Sequence, residues 1–177
     1  MVYESMELLC MAGLVTKVHH TAAQGIPLGA QINPKRFKAV PMDLGLHQRM
    51  LGLNLSELVT ASPADLINKG CIAEVFAGLE ILSNQSPHTK ARLFYWHREA
   101  GSSNAEVDYV IQKGSKIIPV EVKSGKRGAM QSLNLFMNSH ACETAVRLSL
   151  ENVNHYKSVT ILPVYLVGRL VQEYFSL

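Results

Sequence analysis

The chain has 177 residues, 47% hydrophobic and 18% charged, with a net charge of +3. That length suits one domain, or one domain with a small appendage, and can bury a core without disulfide or metal staples. A charge of +3 does not by itself argue for nucleic acid, and with no run of eighteen apolar residues and no signal peptide a soluble, cytoplasmic protein is expected, not a membrane one.

Val2 to Gly13 predicts an amphipathic helix, with Leu8, Leu9 and Met11-Ala12 as its stripe and Gly13 as C-cap. Leu14 to His20 alternates as a strand; its adjacent His19 and His20 face opposite ways and do not share a metal. Ala22 to Ile26 is a turn, Lys35 to Val40 is a second strand ended by Pro41, and Asp43 N-caps a helix to about Leu51. This order reads as a winged-helix-like segment over residues 1–60, running into a connector from Gly52 to Pro63. A second domain is expected over 61–177. There Asp65 to Leu82 is a long helix, Asn84 to Lys90 a polar break, Arg92 to His97 an aromatic strand and Glu99 to Asn104 a Gly/Ser loop. After two further strands come a basic turn at Gly125 to Gly128, a helix at Ala129 to His140, and strands at Glu143 to Leu150 and Val159 to Leu162. Pro163 opens a last helix through Tyr174. The fold class is therefore mixed α/β, a central sheet flanked by helices.

Cys10, Cys71 and Cys142 lie far apart with no CxxC pair, which suits reduced thiols and offers no zinc site. No GxxxxGK[ST] occurs, and Gly25 to Gly29 lacks both the spacing and the lysine, so no ATP site is expected in this chain.

The chemistry concentrates in Glu106-Val107-Asp108 and Glu121-Val122-Lys123. The residues between them read as strand, tight turn, strand. Residues two apart on a strand share a face, about 7 Å apart. A two-residue loop at Lys113-Gly114, or a four-residue loop from Gln112 to Ser115, sets Asp108 opposite Pro119 and Glu106 opposite Glu121. In that register Glu106, Asp108, Glu121 and Lys123 share one face, and Val107, Tyr109, Ile118, Val120 and Val122 cover the other. Facing carboxylates repel, and a divalent cation such as Mg²⁺ among them relieves the repulsion. The plainer reading is a solvent-facing strand. Likewise Lys113, Lys116, Lys123, Lys126 and Arg127 make either a solvated basic face or a phosphate track. Tyr95 and Trp96 are expected in the core rather than stacking on bases.

Helix, strand, strand with Asp108, strand with Glu121-Val122-Lys123, helix, strand resembles the PD-(D/E)xK nuclease superfamily, of restriction-endonuclease-like fold. Here Val107 stands where that family has its proline. More widely, the chain resembles the domain of unknown function that follows the ATPase domain in many bacterial and archaeal AAA-type ATPases. Leu8-Leu9-Cys-Met-Ala-Gly13-Leu14-Val15, Met42-Asp43-Leu-Gly45-Leu46, Lys69-Gly70-Cys-Ile-Ala-Glu74, Tyr95-Trp96-His-Arg98, Ala105-Glu106-Val-Asp108-Tyr109 and Ile118-Pro119-Val-Glu121-Val-Lys123-Ser124-Gly125 carry that likeness.

The resemblance implies a C-terminal piece of a longer ATPase, or a truncated relative, with DNA and the ATPase domain as partners; the oligomeric state stays open. It implies Mg²⁺ or Mn²⁺ held by Glu74, Asp108 and Glu121, with Asp108, Glu121 and Lys123 catalytic and Glu106 a direct ligand or a hydrogen-bonding neighbour. Arg98, Lys126 and Arg127 would contact nucleic acid. The expected reaction is DNA phosphodiester hydrolysis; the alternative is a module that keeps the nuclease fold, has lost the chemistry, and binds DNA or protein. For Glu74, a helix-end pairing with a lysine stands beside the ligand role.

Overall fold

The structure, a computed structural model, describes residues 2–53, 69–100, 103–125 and 129–175. Most of the expected connector, the start of the helix expected from Asp65, and Lys126 and Arg127 lie outside the described residues.

The first helix, α1 (Val2–Met11), stops where Gly13 takes φ 73° and the Leu14 N–H returns to the Leu9 carbonyl. Strands β1 (Val15–Thr21) and β2 (Ile32–Pro41) follow, then α2 (Leu44–Met50). Asp43 caps α2, its Oδ1 accepting from the Leu46 N–H at 2.8 Å. Next are α3 (Lys69–Ser83), β3 (Leu93–Ala100), β4 (Ser103–Val107), β5 (Tyr109–Lys113), β6 (Lys116–Val122), α4 (Gln131–His140), β7 (Ala145–Ser149), β8 (Asn154–Tyr156), β9 (Val159–Pro163) and α5 (Val167–Phe175). Pro163 closes β9 and leads into a 3-10 turn at Val164–Leu166, so α5 starts later than expected. The fold is mixed α/β.

The strands form two sheets, ordered β2-β1-β3-β4 and β5-β6-β7-β9-β8. Strands β1 and β2 do not stand apart: β1 runs parallel to β3, with Val18 beside Leu93 and His20 beside Tyr95. The Glu99–Asn104 stretch, expected to be a loop, is mostly strand, with Glu99 paired to Asn104 and Ala100 to Ser103. In the second sheet β6, β7 and β9 are parallel and buried, with antiparallel β5 and β8 at the edges.

The hairpin expectation needs correction. The loop is Gly114-Ser115, with Gly114 at φ 53°, the position a two-residue hairpin loop assigns to glycine. Tyr109 therefore pairs with Val120 and Lys113 with Lys116, a two-residue slip from the expected register. More importantly, the ladder ends at Tyr109. The chain bends at Asp108, and β4 crosses to the other sheet, where Glu106 pairs with His97 and not with Glu121. Val107 leaves the face of Tyr109 for the same reason. It packs with Trp96, Val110 and Phe136, whereas Tyr109, Ile118, Val120 and Val122 pack with Val75, Ile81 and Leu170 of α3 and α5. The two apolar clusters lie on opposite sides of the second sheet, as the alternation of Ala145 with Val146 along β7 requires. Tyr95 and Trp96 are both buried core residues.

Close packing of α3 on β5 depends on Gly78. A Cβ there would collide with the Tyr109 hydroxyl oxygen and lie 3.0 Å from ring carbon Cζ. Tyr109 is buried and its hydroxyl donates to the Glu74 carbonyl at 2.8 Å, so the ring has nowhere to retreat. Gly78→Ala is expected to lower stability by about 1–3 kcal/mol in urea unfolding. Adding Tyr109→Phe, which removes the colliding oxygen, should recover part of that loss; a Gly78→Ala protein as stable as wild type would refute this packing.

Candidate metal centre

Three acids from three elements meet at the Asp108 bend. Glu74 comes from α3, Glu106 from β4 and Asp108 from the β4–β5 junction, and one carboxylate oxygen of each lies within 4.8 Å of the others. Asp108 is anchored by its Oδ2, which accepts the Val122 N–H at 2.7 Å. That N–H would have met a backbone carbonyl had β5 continued, so the side chain replaces the departed strand. Glu74 is held from below by Tyr109, the next residue along.

An amine occupies the middle of this trio. Lys38 of β2 places its Nζ 2.7 Å from Glu74 Oε1, 2.5 Å from Glu106 Oε1 and 4.0 Å from Asp108 Oδ1. It also sits 5.0 Å above the centre of the Tyr95 ring. The pairing of Glu74 with a lysine is thus present, as the plainer reading of that residue expected.

Glu121 and Lys123 form a second group. Glu121 is only 5% exposed; its Oε1 lies 2.5 Å from Lys123 Nζ, and its Oε2 is buried with no hydrogen-bond partner. Its register partner on β7 is Arg147, which pairs with Glu151 at 3.2 Å. Glu121 is not one of the three acids whose oxygens converge, although its charge is felt at Asp108. Arg98, on β3 opposite Ala105, is half-buried, with its Nε buried and without a hydrogen-bond partner.

The electrostatics follow from burial and crowding. Burial, then the Glu74 charge, then that of Glu121 push the Asp108 carboxyl up to about 7; the Val122 N–H and Lys38 pull the other way. Burial alone would lower the Lys38 pKa, but Glu74 and Glu106 more than reverse it, so the ammonium is held charged. Burial, then Glu74, raises the Tyr109 hydroxyl well above its ordinary value.

Sequence reasoning named Glu74, Glu106 and Asp108 but missed Lys38. A local signal did exist: in β2 it shares a face with Val40, which is buried, and pairs across to buried Val18, so it points inward. A cavity of about 600 Å³ opens elsewhere, lined by Gln24, Lys116, Asn138, Cys142 and Glu143 among others; Glu74, Glu106, Asp108 and Glu121 do not line it.

The sequence model of a domain of unknown function, DUF4143, matches residues 69–167, more than half of the chain. The chain belongs to the DUF4143 family. Glu74, Glu106, Asp108, Glu121 and Lys123 all fall within the matched DUF4143 region, and Lys38 falls outside it. No curated protein and no solved structure matches the chain. Among the described residues of this DUF4143 protein, no helix is long and apolar enough to cross a membrane.

Proposed function

We propose that this DUF4143 chain is a nuclease-like module that uses Mg²⁺ or Mn²⁺ to hydrolyse phosphodiester bonds in DNA, and that it serves a AAA-type ATPase domain in a larger protein. The observation that carries the reading is the convergence of Glu74, Glu106 and Asp108 beside the strand bearing Glu121 and Lys123. The element order supports a restriction-endonuclease-like arrangement: β5, which begins one residue after Asp108, is antiparallel to β6, which carries Glu121, with α3 before and α4 after.

The donor set fits a hard divalent cation, being all oxygen and all carboxylate. Glu74, Glu106 and Asp108 would hold it, and the spare, buried Oε2 of Glu121 is a further donor close enough to influence Asp108. When bound, the ion would supply an acidified water and offset charge on the phosphate. The Val122 N–H keeps Asp108 in place throughout. Lys123, about one-third exposed, would turn its amine from Glu121 to a phosphate oxygen as negative charge grows there. Arg98 would steady the DNA backbone, with Lys126 and Arg127 assisting.

One observation favours a second reading. Lys38 already supplies positive charge among the three carboxylates, so the fold is satisfied without an ion. In that reading the domain binds DNA or protein without cutting.

The test uses supercoiled, linear and branched DNA with Mg²⁺ or Mn²⁺. Cleavage should fall about 100-fold or more in Lys123→Ala, the usual cost of removing a transition-state donor. Millimolar Mn²⁺ should also raise the melting temperature, since the folded state alone offers the site. An unshifted melt with no cleavage of any DNA would sink the cation-dependent reading. Cation binding without cleavage would select the second.

A further inference from the structure

The family-matched region begins at residue 69, yet the amine at the heart of its acidic trio comes from Lys38, on a strand outside that region. The strand itself is fixed: Lys38 pairs with Val18 across the β1–β2 ladder, and Val40 on the same face is buried. The side chain is less constrained. It is 23% exposed, and four carbons of flexible stem let the ammonium leave without moving the backbone.

We infer that Lys38 is a built-in gate on the acidic site: its ammonium fills the place among Glu74, Glu106 and Asp108 that a divalent cation needs, so the cation enters only when the lysine swings out. The inference rests on the cation reading proposed above. Its physical basis is direct competition. The ammonium takes Glu74 Oε1 at 2.7 Å and Glu106 Oε1 at 2.5 Å and faces Asp108 Oδ1 at 4.0 Å, using oxygens from the set a cation would draw on. A hard divalent ion demands several oxygens at close range, and a monovalent cation a few ångströms away repels it. The two occupants therefore exclude each other. The gate also explains how three carboxylates can be held together before any ion arrives: Lys38 compensates them, and its ammonium also lies over the Tyr95 ring.

Mn²⁺ binding by the full chain, measured by titration calorimetry, tests this. Lys38→Met keeps the length and removes the charge; its Kd for Mn²⁺ should be at least about 10-fold lower than that of wild type, a difference of roughly 1.4 kcal/mol. Lys38→Arg, still charged, should bind no better than wild type. Equal or weaker binding by Lys38→Met overturns the gate and leaves the cation site standing. No binding by either wild type or Lys38→Met overturns the gate and the cation reading together. Should Lys38→Met fail to fold, wild type alone decides. Amine acetylation read by peptide mass spectrometry should rise several-fold at Lys38 on saturation with Mn²⁺, relative to exposed Lys116. Unchanged labelling at saturation overturns the gate.

Discussion

Asp108→Asn should make the chelated protein more stable at pH 8 than wild type and flatten its stability between pH 5 and pH 8. The folded carboxyl titrates at about 7, the unfolded one near the ordinary 3.8. Between those values the folded state holds a proton that the unfolded state has released. Stability therefore falls as pH rises through this window, with no cost below it and the full cost above it. Three units at 1.36 kcal/mol each set an upper limit of about 4 kcal/mol, and Asp108 is only 18% exposed, so screening removes little of it. Asparagine mimics the protonated form and can still accept the Val122 N–H. Urea unfolding at pH 5 and pH 8 in chelator checks this; identical pH slopes for wild type and variant would refute it. In wild type, the same proton must leave for a cation to bind, so Mn²⁺ affinity should rise with pH up to and beyond 7.

Phe136→Ala should cost about 3–5 kcal/mol, the range for truncating a buried aromatic. Phe136 is fully buried, meets Trp96 edge-to-face at 5.2 Å and stacks on His140 at 4.0 Å. Its loss would hollow the cluster through which α4 packs on the sheet face bearing Val110 and Ala145. It would also loosen His140, whose Nε2 lies 3.0 Å from the Ala22 carbonyl after β1. A fall in melting temperature of roughly 6–20 °C is expected, with Phe136→Leu milder. A loss below about 1 kcal/mol would show that α4 is not packed as described.

What could be read in advance was what is decided locally. Gly13 and Asp43 announce helix ends because a left-handed residue and a capping carboxylate act on neighbouring backbone groups. Alternation in β6 and β7 marked strands for the same reason, but not that both faces of each would be buried. The failure came at Asp108, where a side chain substitutes for a backbone carbonyl at the Val122 N–H and frees β4 to join another sheet. Nothing in the local pattern distinguishes that bend from a continuous strand, so Glu106 was paired with the wrong residue. Strand β8, Asn154–Tyr156, was unseen because all three residues are exposed and form an edge. Glu106 and Asp108 were recognisable by type and spacing, and Glu74 only through the family resemblance. Lys38 was not, because its meeting with Glu74 depends on β1 lying beside β3, a contact between distant parts of the chain.

That parallel seam between β1 and β3 has a bearing on how the molecule can be divided. A fragment trimmed to the family-defining stretch would lose Val18 and Val40 from its core and uncover the flank of β3, where Leu93, Phe94 and Tyr95 would offer unsatisfied amides to any passing chain. Sequence profile and packing therefore part company here: the stretch bearing the family signature is shorter than the unit that shares this core.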